Sequence, residues 1–234
     1  MQKTASFVAS PFASAMLTGQ FDLELVLVRH GQQIPWDERT EPNHRTDPPL
    51  TELGSRQIDA VAAYMADESV TTVYSSHLDR ARRTGEAIAA RHDLAPTVMS
   101  ELREVELMRD VPDDADLGDA FDKDAMDRAG AEFVRTRRWD AFPMAETGAE
   151  LRERVTAAIE GIIAENAHNP GGRVVIACHG GVINAYLVDL LGIEVDMFFR
   201  PPHCSVHRVH VGDGRRIIGT LNETHHLVGD LLTH

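Results

Sequence analysis

The sequence predicts a three-layer α/β/α sandwich on a mainly parallel sheet, and three observations lead there. Short runs rich in β-branched residues recur at 24–28 (ELVLV), 69–76 (SVTTVYSS) and 173–178 (RVVIAC), the pattern of strands buried on both faces. Each run is followed by a turn and then by helical periodicity, the alternation that lays helices over a parallel sheet. At 234 residues the chain suffices for one such domain with a full core and does not demand two. A single domain over 24–234 is therefore expected, preceded by an extension at 1–23. That extension carries one lysine and an apolar stretch broken by Pro11. A secretory signal needs an unbroken apolar core after a basic start, so a loose surface arm is expected instead.

In chain order, the strand at 24–28 leads into a polar, proline-containing loop over 32–50 and a helix over 54–67. The run 69–76 is the second strand, and 77–92 the helix after it. Ser75 or Ser76 is the expected cap of that helix, since a serine oxygen can accept from its free first-turn N–H groups. Arg80 then falls in the first turn, where the helix dipole disfavours a cation unless an anion sits there. Residues 105–147 form a long acidic and helical insertion, of the length that often serves as a lid over strand ends. The helix over 148–167 places Leu151, Val155, Ala158, Ile159, Ile162 and Ile163 on one face and stops at Asn169–Pro170–Gly171. After the strand at 173–178 comes a helix over 181–191. SVHRVHV and RRIIGTL, within 204–228, read as an edge hairpin turning at Gly212–Asp213–Gly214.

Composition narrows the function. The net charge of −14 argues against nucleic acid, which needs clustered Lys and Arg to neutralise its backbone. No apolar run is long enough to span a bilayer. Cys178 and Cys204 make no disulfide framework, and a reducing cytoplasmic setting is the simplest expectation.

Two strand-like runs end alike, in LVLVRHG at 25–31 and VVIACHGG at 174–181. Side chains just past the carboxyl ends of neighbouring parallel strands meet in one crevice, so His30 and His179 are candidate partners. Arg29 adds a forked permanent cation, and glycines at 31, 180 and 181 let backbone N–H groups approach an anion. Together they point to a phosphate site.

Six blocks in order, LVLVRHGQQ, DPPLTELGSRQ, SSHLDRARRTGEA, LRE at 102–104, VVIACHGGVI and LNETHHL, resemble the histidine phosphatase superfamily, the phosphoglycerate mutase-like proteins. The resemblance runs through most of 24–104 and 146–227. It implies that His30 is a nucleophile forming a phosphohistidine, and that Arg29, Arg80 and His179 surround the phosphoryl oxygens. It also implies that Glu104 of the LxE block is the general acid and base, with Glu101 and Glu106 close enough to compete for that role. Gly31, Gln33 and Gly180 would complete the substrate site, and Glu150 would orient a phosphate-site residue. No cofactor or metal is implied.

Two positions depart from the family pattern: Gln33 stands where it has Ser or Thr, and Trp36 where it has Asn. The usual glycine–tryptophan block after LxE is replaced by an aspartate-rich segment, and 110–127 holds eight aspartates and one lysine. Family mutases carry a basic, tyrosine-containing segment there. Hydrolysis of a small phosphorylated substrate is thus the expected activity, with a mutase or a weakly catalytic phospholigand-binding protein as alternatives. A homodimer is compatible with the sequence. His203, His207, His210, His225 and His226 cluster late in the chain but lack a thiolate or carboxylate set at ligand spacing. His207 and His210 should face opposite sides of a strand. Arg135, Arg137 and Arg138 read as surface charges or as a second anion contact on the lid.

Overall fold

The computed structural model describes residues 21–35, 38, 39, 42–109, 111 and 122–234. Nearly all of the extension, Trp36 and most of the aspartate-rich segment lie outside them. The described elements are β1 (Leu23–Arg29), α1 (Glu52–Met65), β2 (Val70–Ser76), α2 (Asp79–Ala89), β3 (Thr97–Met99), α3 (Lys123–Thr136), α4 (Gly148–Asn166), β4 (Gly172–Cys178), α5 (Gly180–Leu191), β5 (Val206–Gly212) and β6 (Arg215–Glu223). The sheet order is β3-β2-β4-β1-β5-β6. Its first four strands pair in parallel, and β5 and β6 are antiparallel.

Period-two alternation explains the apolar runs. In β1, Leu25 and Leu27 pack with α4 and α5, through Val155, Ile159, Ile183 and Tyr186. Val26 and Val28 pack on the other side with Ile58, Val61 and Met65 of α1 and Ile88 of α2. All four β1 side chains are wholly buried, each worth roughly 1.5–3 kcal/mol of transfer free energy. Helices on both faces make the expected three layers. The hairpin is also as expected, with Asp213 at φ 51° and Gly214 at φ 70° supplying the left-handed pair that a two-residue turn requires.

Helix starts depart from expectation at one place. Thr51 caps α1 by accepting from Gly54 N at 2.9 Å, and Thr147 with Glu150 forms a reciprocal capping box on α4. Neither Ser75 nor Ser76 caps α2, because β2 keeps both extended through residue 76. The first α2 amide, Asp79 N–H, instead donates to the Asp47 carboxylate at 2.8 and 3.1 Å. The three-residue edge strand β3 is too short for its own periodic signal.

Register places the site. β1 and β4 pair in parallel with Arg29 opposite Cys178, so His30 and His179 are each the first residue past a strand end. His30 N–H donates to Cys178 O at 3.0 Å, continuing the ladder one step beyond the strands.

Candidate active site

His30 is 2% exposed, and its Nδ1 lies 2.7 Å from the Gly31 carbonyl oxygen. A carbonyl can only accept, so Nδ1 carries the ring proton and Nε2 carries the lone pair. Arg80 Nε–H approaches that lone pair at 3.3 Å. Burial, with the charges of Arg80 and Arg29 and the neighbouring His179, pushes the His30 pKa well below 6.5. The ring is neutral at pH 7.

The His179 ring centroid is 5.1 Å from that of His30. His179 is wholly buried, yet neither ring nitrogen has a hydrogen-bond partner among the described residues. A buried unsatisfied polar atom costs about 1–3 kcal/mol, so both edges of this ring carry unused hydrogen-bonding capacity. Burial and the Arg80 and Arg29 charges hold its pKa well below 6.5 too.

Two guanidiniums flank the pair. Arg80, in the first turn of α2 as expected, is 3% exposed and donates through Nη1 to Thr46 O at 3.2 Å and Asp47 Oδ1 at 3.1 Å. Asp47 thus both ties down the first turn and orients the cation. Arg29 donates to Pro201 O at 2.5 Å, while its buried Nε has no partner among the described residues. Burial pushes its pKa down to about 10, against the opposing pull of Glu104, which leaves it charged at pH 7.

Among the three candidate glutamates, geometry brings Glu104 to the site. Its Oε1 accepts from Gly181 N and Val105 N, each at 3.0 Å. Glu101 is exposed, and Glu106 pairs with Arg103 at 3.0 Å. The backbone just before Glu104 is held from below. Arg154 Nη1 donates to Glu101 O at 2.6 Å and Arg103 O at 3.1 Å, and its other nitrogens grip the buried Glu146 at 2.6 and 2.8 Å.

The glycines divide their work. A Cβ at 31 would stand 2.5 Å from Gly54 O, so Gly31 serves the close approach of β1 to α1, and its N–H faces Thr84 Oγ1 at 3.4 Å. This differs from the expectation that it opens toward an anion. Gly180 begins α5, so its N–H belongs to the first turn, which has no intrahelical acceptor. Gln33 forms an isolated bridge to Leu50, and its buried Oε1 has no partner among the described residues.

Other expectations resolve away from the site. Glu150 is engaged by the capping box and an ion pair to Arg109 at 3.1 Å, rather than by His30, His179, Arg29 or Arg80 as a residue orienting the phosphate site would be. Arg135 pairs with Glu132 and Arg138 with Asp140; Arg137 caps α3 in the left-handed conformation. His207 and His210 do face opposite sides of β5, one against Phe199 and the other against Phe21. His226 stacks on Tyr64 and donates to Cys204 O at 2.9 Å. Both cysteines are buried and free, with their thiol pKa values raised by burial. Among the described residues no cluster of His, Cys, Asp or Glu is placed to hold a metal ion, and no helix is long and apolar enough to cross a membrane.

Sequence reasoning missed Asp47, Glu146, Arg154 and His203. The last lies with its ring centroid 5.9 Å from that of His30. Asp47 sits inside the DPPLTELGSRQ block, but a lone aspartate in a polar loop carries no one-dimensional mark of its partner.

A family model described as "Histidine phosphatase superfamily (branch 1)" matches residues 25–224. A curated relative from Yersinia pestis (strain Pestoides F), "Probable phosphoglycerate mutase GpmB", is 28% identical over 189 residues, covering 80% of this chain and 84% of its own. The solved structure of Bacillus stearothermophilus YhfR superposes with a TM-score of 0.69 at 21% identity, over 87% of this chain and 98% of that one. A mycobacterial glucosyl-3-phosphoglycerate phosphatase superposes with a TM-score of 0.68 at 24% identity, over 85% and 98% respectively.

Proposed function

The chain belongs to the histidine phosphatase superfamily, branch 1, and from that premise we propose that it is a phosphomonoester hydrolase working through a phosphohistidine on His30. The observation that carries this reading is the unprotonated Nε2 of His30, which accepts from Arg80 Nε–H with the His179 ring beside it. Its lone pair attacks phosphorus as the phosphorus–oxygen bond to the alcohol breaks. Glu104 gives the departing oxygen its proton. In the second step water attacks phosphorus and loses a proton to Glu104, and the phosphorus–nitrogen bond breaks back to Nε2. Splitting the hydrolysis in two replaces one difficult step by two easier ones. Arg29, Arg80 and His179 supply fixed positive charge and hydrogen bonds to the three non-bridging oxygens, where transition-state charge resides. No resident cation is required by this scheme, because two guanidiniums already face the phosphoryl group.

The substrate is a small phosphate monoester. A mutase uses the same residues but returns the phosphoryl group to an organic acceptor, and the name of the Yersinia relative favours that second reading. The aspartates after LxE, where mutases of the family carry basic residues, favour hydrolysis. The test is a turnover screen over phosphomonoesters, with acid-quench trapping of the phosphoenzyme in wild type and His30→Ala. Release of inorganic phosphate from several esters, with trapping and turnover both abolished in His30→Ala, is expected. Phosphoryl exchange between two glycerate positions without phosphate release would establish the mutase, and full activity of His30→Ala would remove the nucleophile.

A further inference from the structure

A third histidine lies beside the His30–His179 pair. His203 is 5% exposed, and its ring centroid is 5.9 Å from that of His30. Its Nδ1 lies 2.9 Å from Thr233 Oγ1, its N–H donates to Thr233 O at 2.9 Å, and its Nε2 has no protein partner among the described residues. Which nitrogen carries the proton follows from a chain of obligate donors and acceptors. Gln32 N–H donates to Gln57 Oε1 at 2.8 Å, which identifies that atom as the amide oxygen. Gln57 Nε2 therefore donates, to Leu231 O at 2.7 Å and to Thr233 Oγ1 at 2.8 Å. The threonine oxygen accepts from Gln57, and its own single proton has one acceptor within reach, His203 Nδ1. A hydroxyl proton given to Nδ1 makes that nitrogen the acceptor of the pair. In that arrangement the ring's own proton stands on Nε2, the nitrogen left without a protein partner among the described residues.

We propose that His203 is a further catalytic residue of the phosphoryl site, donating from Nε2–H to a non-bridging oxygen of the group carried by His30, and that Thr233 is the positioning residue that sets its tautomer. This rests on the phosphohistidine reading above. The donor is neutral: burial and the nearby Arg29 and Arg200 charges push the His203 pKa down to about 3. A neutral donor adds a hydrogen bond to the crowded oxygens without adding another cation beside Arg29 and Arg80. The same threonine links this ring, through Gln57, to the Gln32 backbone beside the nucleophile.

Side-chain mimicry makes the test specific. Glutamine places its amide nitrogen near the position of histidine Nε2, asparagine near that of Nδ1, and phenylalanine keeps only the ring. Single-turnover phosphorylation and binding of inorganic phosphate are measured for wild type, His203→Gln, His203→Asn and His203→Phe, with thermal unfolding reporting that each folds. His203→Phe and His203→Asn should lose about 10²-fold in phosphorylation rate, the scale of removing one preorganised donor, and bind phosphate more weakly. His203→Gln should retain most of both. Nitrogen-resolved NMR of the wild-type ring should show the proton on Nε2, disturbed in Thr233→Val and kept in Thr233→Ser. Wild-type rate and affinity in His203→Phe, or a proton resident on Nδ1, overturns the assignment while leaving His30 as nucleophile. Absence of any phosphoenzyme in wild type overturns both readings together.

Discussion

Adjacent glycines at the start of α5 separate the role of Glu104 from the stability of the fold. A Cβ at Gly181 would fall inside the contact distance of Glu104 Oε1, whereas one at Gly180 would meet nothing nearer than Arg29 Nε and Pro201 Cγ, each at 3.8 Å. The obstructed atom is the free end of a flexible side chain, so in Gly181→Ala the carboxyl moves and the helix stays. Clearing the methyl group takes a displacement on the order of 1 Å, and misplacing a reacting group by that much costs roughly 10²-fold in rate. Both substitutions put alanine for glycine near a helix start, which favours the folded state by up to about 1 kcal/mol. Gly180→Ala should therefore phosphorylate His30 within about threefold of wild type, well inside the effect assigned to misplacement. Gly181→Ala should be slower by about 10²-fold on an alkyl phosphate and clearly less affected on a nitrophenyl phosphate, whose leaving group hardly needs a proton. The assay is rapid-quench single turnover, which isolates the first step from the dephosphorylation that also calls on Glu104. Equal rates on both esters for Gly181→Ala and Gly180→Ala would refute the placement of the acid, and equal losses on the two esters would refute its role as proton donor.

Two further outcomes follow from buried groups. Arg154→Met should cost about 3–5 kcal/mol of stability in urea unfolding, because Glu146, 3% exposed, is left without its cation. The double variant Glu146→Leu with Arg154→Met should recover most of that stability but not the alkyl-ester rate, since the Glu101 and Arg103 carbonyls remain unheld; an unimpaired rate there would show that Arg154 does not position Glu104. His207 accepts from Asn222 N–H through Nδ1 at 3.2 Å and lies 3.0 Å from Ser205 Oγ through Nε2, an arrangement that only the neutral ring satisfies. Burial lowers its pKa to about 3, below the unfolded value of about 6.5. The unfolded chain binds the extra proton between those values, so the stability from this group is present above pH 6.5 and is lost as the pH falls toward 3. The slope is about 1.4 kcal/mol per pH unit, or roughly 2 kcal/mol by pH 5. Unfolding free energies of wild type and His207→Gln at pH 7.5, 6 and 5 should converge by that amount on acidification; parallel curves would mean that His207 is not held neutral.

The strands of the sheet and the two histidine–glycine ends were legible in one dimension because they depend on neighbours two to four residues apart. An apolar run with β-branched residues becomes a buried strand wherever it pairs, and a histidine just past such a run emerges at the carboxyl edge of the sheet. Parallel pairing of β1 with β4 then brought His30 and His179 together as the pattern predicts. The choice of Asp47 over Ser75 or Ser76 at the start of α2, the grip of Arg154 on the backbone before Glu104, and the contact of His203 Nδ1 with Thr233 Oγ1 belong to tertiary structure alone. Each joins residues whose types are ordinary for an exposed loop or helix face. An aspartate, arginine or threonine acquires a defined role only when burial removes the competing water and leaves one partner within hydrogen-bond distance, and both conditions are set by the folded chain.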